Sequence, residues 1–196
     1  LKNDNKKYFV RSLYFDTPDY ANFYEKVDGI KLRKKFRIRS YSDVEKDDTK
    51  LFLEMKGRKN QKTYKLRTQI LPEHLKLFTN QKDLFQLLKY YSKENKVVND
   101  FVYESFKKKI EPKVVVDYNR RPYVNKFGLL FRLTFDTELK TSSGKDIFDY
   151  KKNFSFKECV SGKTILELKF ERSIQPWFHR IIQNYNLMRL SVSKFA

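Results

Sequence analysis

Residues 33–39 read RKKFRIR, and this alternation of basic and apolar residues constrains the fold more than any other segment. Successive side chains of a β-strand lie on opposite faces of the sheet, so every second residue shares a face. As a strand, this segment carries a row of cations on one face: Arg33, Lys35, Arg37 and Arg39. Neighbouring cations in such a row lie roughly 7 Å apart and repel one another. The row therefore indicates a surface that faces either a polyanion or bulk water.

The same alternation recurs in shorter segments, at residues 54–56, 64–67, 132–136 and 167–169. As strands, these segments place their polar residues on one face: Glu54, Lys56, Lys65, Arg67, Arg132, Thr134, Asp136, Glu167 and Lys169. Serine, asparagine and glutamine, which usually fill a solvated face, are nearly absent from this set. The spacing leaves two arrangements open. Either the charged face of a sandwich meets water, or that face lines the hollow of a barrel whose apolar face packs outward on helices.

The net charge narrows the choice of partner. The chain has 43 Lys and Arg against 24 Asp and Glu, a net charge of +19, and such a field attracts phosphate, nucleic acid or an anionic membrane surface. The 16% of aromatic residues is too high for a disordered basic tail, and the length of 196 residues fits one domain. No apolar run approaches the ~20 residues of a membrane helix. The only cysteine, Cys159, excludes an intrachain disulfide and favours a reducing, cytoplasmic location.

Local patterns divide the chain into two β-rich halves around a helical insert. The first half opens with a strand at residues 11–16 and a short helix, with Thr17 as its cap, Pro18 in its first turn and Asp28-Gly29 at its end. An antiparallel meander follows, with strands at residues 31–41, 50–56 and 63–71 joined by turns at 42–49 and 57–62. Apolar residues then recur at spacings of three and four, which predicts two or three helices at residues 72–110.

The second half repeats the β pattern and ends in a helix. Its strands are expected at residues 113–119, 129–137, 153–156 and 164–172, with a turn at 125–128 and an amphipathic helix at 175–188. No flexible linker divides the chain, so residues 1–196 are expected to form a single domain. Because the sequence begins at Leu1 without a signal-like segment, we expect it to be a piece of a longer protein.

An ordered series of motifs resembles the polyphosphate polymerase domain of the vacuolar transporter chaperone (VTC) complex, a member of the triphosphate tunnel metalloenzymes. The motifs are SLYFDTP at residues 12–18, DG at 28–29, RxKxRIRxY at 33–41, LEMK at 53–56, KxR at 65–67, YxRxxY at 118–123, RxTxDT at 132–137, LELK at 166–169 and SVSK at 191–194. The resemblance covers nearly the whole chain. It implies an α+β fold, an antiparallel β-barrel with basic side chains inside and helices packed outside. The family usually opens with a further strand bearing a Glu-x-Lys element, which residues 1–4 lack, so either the first strand is missing from this sequence or the chain departs from the family pattern.

The resemblance also implies a reaction, which is metal-dependent transfer of the ATP γ-phosphate to phosphate or to a growing polyphosphate chain. The residues that it assigns to catalysis are Arg37, Arg39, Lys56 and Lys169. It assigns further cations to substrate binding, and we add the neighbouring cations of the same rows: Arg33, Lys35, Lys65, Arg67, Arg120, Arg132 and Lys194. Glu167 would hold a divalent Mn²⁺ or Mg²⁺. The expected partners are ATP or another triphosphate and inorganic polyphosphate.

Several alternatives stay open at this stage. Glu54 is either a second metal ligand or an ion-pair partner of Arg37 or Lys65. The same residues would suit a triphosphate hydrolase or a non-catalytic module that binds polyphosphate. Nucleic acid is not expected as a partner, because no single-strand stacking motif is visible. Tyr14, Tyr41 and Trp177 could stack on a nucleobase, although aromatic residues as frequent as these more often pack in a core.

Overall fold

The architecture is one antiparallel sheet with helices on its apolar face. The computed structural model describes residues 7–46, 48–60, 62–91, 94–125, 131–148, 154–171, 173–190 and 192–195. The strands are β1 (Tyr8–Asp16), β2 (Leu32–Ser40), β3 (Leu51–Lys59), β4 (Lys62–Ile70), β5 (Glu111–Val124), β6 (Phe131–Ser143), β7 (Lys157–Glu158) and β8 (Ile165–Phe170). The helices are α1 (Ala21–Val27), α2 (Leu75–Thr79), α3 (Leu87–Tyr90), α4 (Lys96–Lys108) and α5 (Pro176–Asn184), with 3₁₀ segments at Pro72–His74 and Gln81–Gln86. The expected α+β class is confirmed.

The strands follow the order β4-β3-β2-β1-β5-β6-β7, and β8 also pairs with β6. Every pairing is antiparallel, and the meander of β2, β3 and β4 is confirmed. The expected closure into a barrel is not found, since β4 and β8 do not pair within the described part of the chain. Both of these outer strands carry charged side chains, Lys65 and Arg67 on β4 and Glu167 and Lys169 on β8, and charged edge strands resist further pairing.

Helices cover the apolar face of the sheet at both ends. Helix α4 packs on the first half, where the ring of Phe101 lies 5.4 Å from Phe36 of β2 and 5.0 Å from Phe15 of β1. Helix α5 packs on the second half, where Phe178 lies 5.5 Å from Phe131 of β6. These rings are nearly inaccessible to solvent, and full burial of such a side chain contributes about 1.5–3 kcal/mol. Helices α4 and α5 therefore pack on the apolar face of the open sheet.

Helix α1 begins later than the sequence predicted. Tyr20 precedes it with a left-handed φ of 60°, so Pro18 lies before the first turn and not within it. The carboxylate of Asp16 accepts hydrogen bonds from the backbone N–H groups of Asn22 (2.8 Å) and Phe23 (3.0 Å), and Thr17 Oγ1 accepts one from Ala21 at 2.7 Å. The end of β1 therefore fixes the start of α1. The predicted end at Asp28-Gly29 is correct, with Gly29 at a φ of 71°.

Two other predicted boundaries were wrong for identifiable reasons. The expected turn at residues 57–62 is largely strand, because β3 continues through Gly57 and the ring of Tyr64 on β4 lies over that glycine. A Cβ on Gly57 would lie only 2.1 Å from the ring, so the glycine allows close packing within the sheet. The expected strand at residues 153–156 falls partly outside the described residues. Phe154 and Phe156 are not in a strand; their rings lie 5.3 and 5.5 Å from the Arg11 guanidinium.

Candidate functional site

The strand register places the charged rows on one continuous surface. Residues directly opposite each other in an antiparallel pair share a face. Arg37 of β2 lies opposite Tyr14 of β1 and Glu54 of β3, and Arg120 of β5 lies opposite Asp136 of β6. The charged face therefore carries the eleven cations and three carboxylates that the sequence predicted for it: Arg33, Lys35, Arg37, Arg39, Lys56, Lys65, Arg67, Arg120, Arg132, Lys169, Lys194, Glu54, Asp136 and Glu167. Arg58, directly opposite Arg33, adds a further cation.

Glu54 binds the cations of the first half of this face. Its carboxylate accepts hydrogen bonds from Arg37 Nε and Lys65 Nζ, both at 2.7 Å. Arg39 Nη1 and Arg67 Nε lie 3.8 and 3.7 Å from it. We call these residues the Glu54 cluster. Burial alone would raise the pKa of Glu54, but Arg37, Arg39 and Lys65 outweigh this effect and lower its pKa to about 2.

Asp136 has the same role in the second half. Arg120 donates to both of its carboxylate oxygens at 2.7 Å, and Lys194 Nζ donates to Oδ2 at 2.5 Å. Glu167 lies beside them, 3.1 Å from Arg120 and 3.4 Å from Lys169. We call these residues the Asp136 cluster. Burial would raise the pKa of Asp136, but the bonds from Arg120 and Lys194 lower it, so the carboxylate is ionised at neutral pH.

Tyr118 connects the two clusters, and Tyr14 extends the Glu54 cluster onto β1. Arg37 Nη1 donates to the Tyr14 hydroxyl at 2.8 Å, and Arg39 Nη2 lies 3.3 Å from the Tyr118 hydroxyl. The Lys194 ammonium lies 4.6 Å from the centre of the Tyr118 ring. Burial raises the pKa of Tyr118 to about 12, so its hydroxyl stays protonated at neutral pH. The two clusters are thus parts of one polar surface.

Three buried polar atoms of the charged face have no hydrogen-bond partner among the described residues. They are Lys35 Nζ, Arg132 Nε and Thr134 Oγ1. Burial lowers the pKa of Lys35 to about 8, and the ring of Phe195 lies 5.3 Å from its ammonium group. An unsatisfied buried polar group costs roughly 1–3 kcal/mol, and this cost is recovered when a ligand supplies the missing partner.

Comparison with known proteins identifies the family. The model of the VTC domain family matches residues 1–196. The chain belongs to the VTC domain family. The structure of a candidate adenylate cyclase from Bacillus halodurans, at 12% identity, covers 95% of this chain and 79% of its own length with a TM-score of 0.52, which shows a shared fold alone. The PH1819 protein of Pyrococcus horikoshii OT3 is 14% identical over 93% of this chain and 73% of its own, with a TM-score of 0.36. The search of curated proteins found no match.

The VTC domain offers its predicted cations to a ligand unequally. Lys56 and Lys169 are exposed, while Arg39 and Arg120 are held by carboxylates. Arg33 donates to the carbonyl oxygen of Ile30 at 2.6 Å. The structure therefore brings the predicted cations onto one face, where they differ in their exposure to solvent.

The carboxylates of the VTC domain differ in their availability to a metal. The side chains of Glu54 and Asp136 are 1% and 0% exposed and are bound by cations, whereas that of Glu167 is 36% exposed. For Glu54, the ion-pair alternative agrees with these contacts. No group of three or more His, Cys, Asp or Glu suitable for a metal occurs in the described part of the chain. A single carboxylate such as Glu167 suits Mg²⁺ or Mn²⁺ when phosphate oxygens and water complete the coordination.

Sequence reasoning missed several functional neighbours. Tyr118 was part of a motif but received no role, and Phe195 was not considered; its ring lies 5.4 Å from Tyr14. The C-terminal segment thus lies against the charged face, which no local pattern predicts. His74 lies elsewhere, on the helical insert, where its Nδ1 is 3.2 Å from the Tyr91 hydroxyl. No helix in the described ranges is long and apolar enough to cross a membrane.

Proposed function

We propose that this VTC domain is a polyphosphate polymerase that transfers the γ-phosphoryl group of ATP to phosphate or to a growing polyphosphate chain. In this proposal the sheet curls so that the charged face lines a tunnel. The observation that carries the proposal is the convergence of the eleven predicted cations on one face, with three buried polar atoms that lack a partner among the described residues. A linear polyanion would neutralise the cations and would also supply hydrogen-bond partners for the three buried polar atoms.

Transfer of the phosphoryl group depends on positioning of donor and acceptor and on neutralisation of the phosphate charge, more than on covalent bonds to the protein. A terminal oxygen of the acceptor attacks the γ-phosphorus. The bond between that phosphorus and the β–γ bridging oxygen then breaks, so ADP leaves with the electron pair and the polymer gains one phosphate. Arg37, Arg39, Lys56 and Lys169 act on the transferred group. The remaining cations bind donor and acceptor chains: Arg33, Lys35, Lys65, Arg67, Arg120, Arg132 and Lys194.

Arginine and lysine contribute differently to this binding. Guanidinium groups donate two parallel hydrogen bonds to one phosphate, whereas ammonium groups act as mobile point charges. Glu167 would hold a divalent cation, which would neutralise negative charge on the phosphates when bound. Glu54 and Asp136 keep the arginines oriented and ionised before a substrate arrives.

The experiment that tests the proposal is incubation of the pure domain with ATP and Mn²⁺, followed by gel analysis for polymer and by assays of ADP and free phosphate. The expected result is a ladder of polyphosphate with one ADP released for each phosphate added. Release of phosphate without polymer would instead identify a hydrolase. Binding of polyphosphate without release of ADP would identify a non-catalytic module.

A matched pair of variants localises the activity. Glu167→Gln removes a carboxylate charge at nearly constant volume and is expected to abolish the metal-dependent activity. Glu73→Gln removes the same charge from an exposed side chain outside the charged face and should leave activity unchanged. Metal affinity measured by calorimetry should fall only in the first variant. Unchanged affinity in Glu167→Gln would exclude this residue as the metal ligand.

A further inference from the structure

A small aromatic cluster lies beside the Glu54 cluster on the charged face. The ring of Tyr41, just after β2, makes edge contacts with Tyr8 at 5.8 Å and with Phe52 at 6.1 Å. The Arg67 guanidinium carbon lies 3.4 Å from the centre of the Phe52 ring, the distance of a stacked pair. We call Tyr41, Phe52 and Arg67 the stacking platform.

The stacking platform differs from the aromatic core. The core rings Phe36 and Phe101 are each 1% exposed, whereas Tyr41 is 41% exposed. The Arg67 side chain is 36% exposed although its guanidinium stacks on Phe52. Packing therefore leaves the Tyr41 ring and the Arg67 side chain partly accessible beside Phe52. Aromatic rings and arginine planes are the side chains on which nucleobases stack.

The position of the stacking platform connects it to the phosphate-binding cations. Phe52 lies opposite Arg39 in the β2–β3 register, and Arg67 Nε is 3.7 Å from the Glu54 carboxylate. Gln69 lies opposite Phe52 on β4 and is exposed, so its amide can both donate and accept a hydrogen bond beside the platform. A base stacked here would have its phosphates directed to the cations of the Glu54 cluster.

We propose that the stacking platform binds the base of a nucleoside triphosphate and so selects a nucleotide over bare triphosphate as the donor. This inference rests on the proposed function and deepens it, because it names the end of the charged face at which the donor base lies. Arg67 then has two roles. Its guanidinium plane stacks on the base, and its positive charge attracts phosphate.

The experiment compares ATP with tripolyphosphate, which carries the phosphates without the base. Both ligands are titrated into wild type and Tyr41→Leu, with Tyr103→Leu as the matched control. Tyr103 is an exposed tyrosine on α4 that also contacts a cation, with Lys107 Nζ 5.6 Å from its ring. Tyr41→Leu should weaken ATP binding about 5- to 100-fold, the loss expected for one base–aromatic stack, and leave tripolyphosphate binding unchanged. Tyr103→Leu should change neither.

A second variant of Arg67 removes the planar guanidinium group and keeps the positive charge. Arg67→Lys should also weaken ATP binding more than tripolyphosphate binding, because lysine cannot stack as a planar fork. Circular dichroism melting establishes that each variant folds. Equal losses for the two ligands, or no loss for ATP in either variant, would overturn the stacking platform. Base-dependent binding without polymer formation would overturn only the polymerase assignment, and failure of wild type to bind either ligand would overturn both.

Discussion

Glu54 is the residue whose environment is most unusual, because a buried carboxylate has two cations at hydrogen-bond distance and two more within 4 Å. Its removal should destabilise the domain, since Arg37 and Lys65 would be left without their anion. Removing one partner from a buried ion pair costs roughly 3–5 kcal/mol. The carboxylate is therefore an internal counter-ion that allows the basic rows to fold in the absence of a ligand.

We predict that Glu54→Gln lowers the free energy of unfolding by about 3 kcal/mol at pH 7 and by much less near pH 2. A depressed pKa of about 2 in the folded state, below the usual value of 4.5, contributes stability that is present above pH 4.5 and lost as the pH falls toward 2. Urea unfolding of wild type and variant across this range measures the difference. A difference that stays constant with pH would contradict the proposed ionisation.

Lys35 should make anion binding dependent on pH. The groups that face it are Asp16, Glu25, Lys26 and Arg33, and burial is the main cause of its pKa of about 8. An anion binds the protonated form, so tripolyphosphate affinity should fall as the pH rises through about 8. The stability of the free protein should change with pH in the opposite direction. Because folding lowers the pKa of Lys35 from 10.5 to about 8, the free energy of unfolding should rise between pH 8 and 10.5. Calorimetric titrations at pH 7 and 9 test this, and Lys35→Arg should remove most of the pH dependence.

At the level of elements, helix α4 keeps the apolar face of β1 and β2 away from water. Phe101→Ala should lower the free energy of unfolding by about 3–5 kcal/mol, because Phe15 and Phe36 lose their shared neighbour and a cavity remains. Phe106→Ala, on the same helix but 44% exposed, should cost much less. Chemical denaturation measures both variants. Equal losses would mean that α4 does not cover the sheet as described.

The strands also show how much of the fold could be predicted from the sequence. The alternation at residues 33–39 correctly predicted the faces of β2, because a strand has only two faces and apolar residues occupy the buried one. The local pattern predicted the β5 strand only at residues 113–119. The strand instead continues through Pro122 to Val124, with a register shift between Asp117 and Asn119. A bulge and an internal proline interrupt the local pattern, and only pairing with β1 and β6 extends the strand.

For the molecule as a whole, the site depends on how charges converge more than on how many there are. We predict that Arg37→Ala with Arg39→Ala weakens tripolyphosphate binding by at least 100-fold, since each charge-assisted hydrogen bond contributes ~1.5–3 kcal/mol. Lys107→Ala with Arg121→Ala removes the same charge from exposed positions outside the charged face and should have almost no effect. Titrations near physiological salt make the comparison, because exposed charges are screened beyond ~8 Å. Similar losses would indicate attraction by net charge alone.

The cations of the site could be predicted from the sequence, and so could the pairing of Glu54 with Arg37 or Lys65 as one of two alternatives, but the other partners could not. Arg120 lies 16 residues from Asp136 and 47 from Glu167, and only the sheet register brings them together. The same holds for Lys194, which reaches Asp136 from the C-terminal segment. Alternation assigns a residue to a face, whereas a contact across strands requires the three-dimensional arrangement.

Because Glu54 and Asp136 already neutralise part of the charged face, the free domain should gather fewer ions from solution than the number of its cations suggests. The dependence of polyanion affinity on salt reports how many such ions are released on binding. A plot of log affinity against log salt concentration should therefore have a shallower slope than the number of contacting cations implies. Polyanion binding to this domain would then stay strong at ionic strengths that release polyanions from an unstructured basic peptide of equal charge.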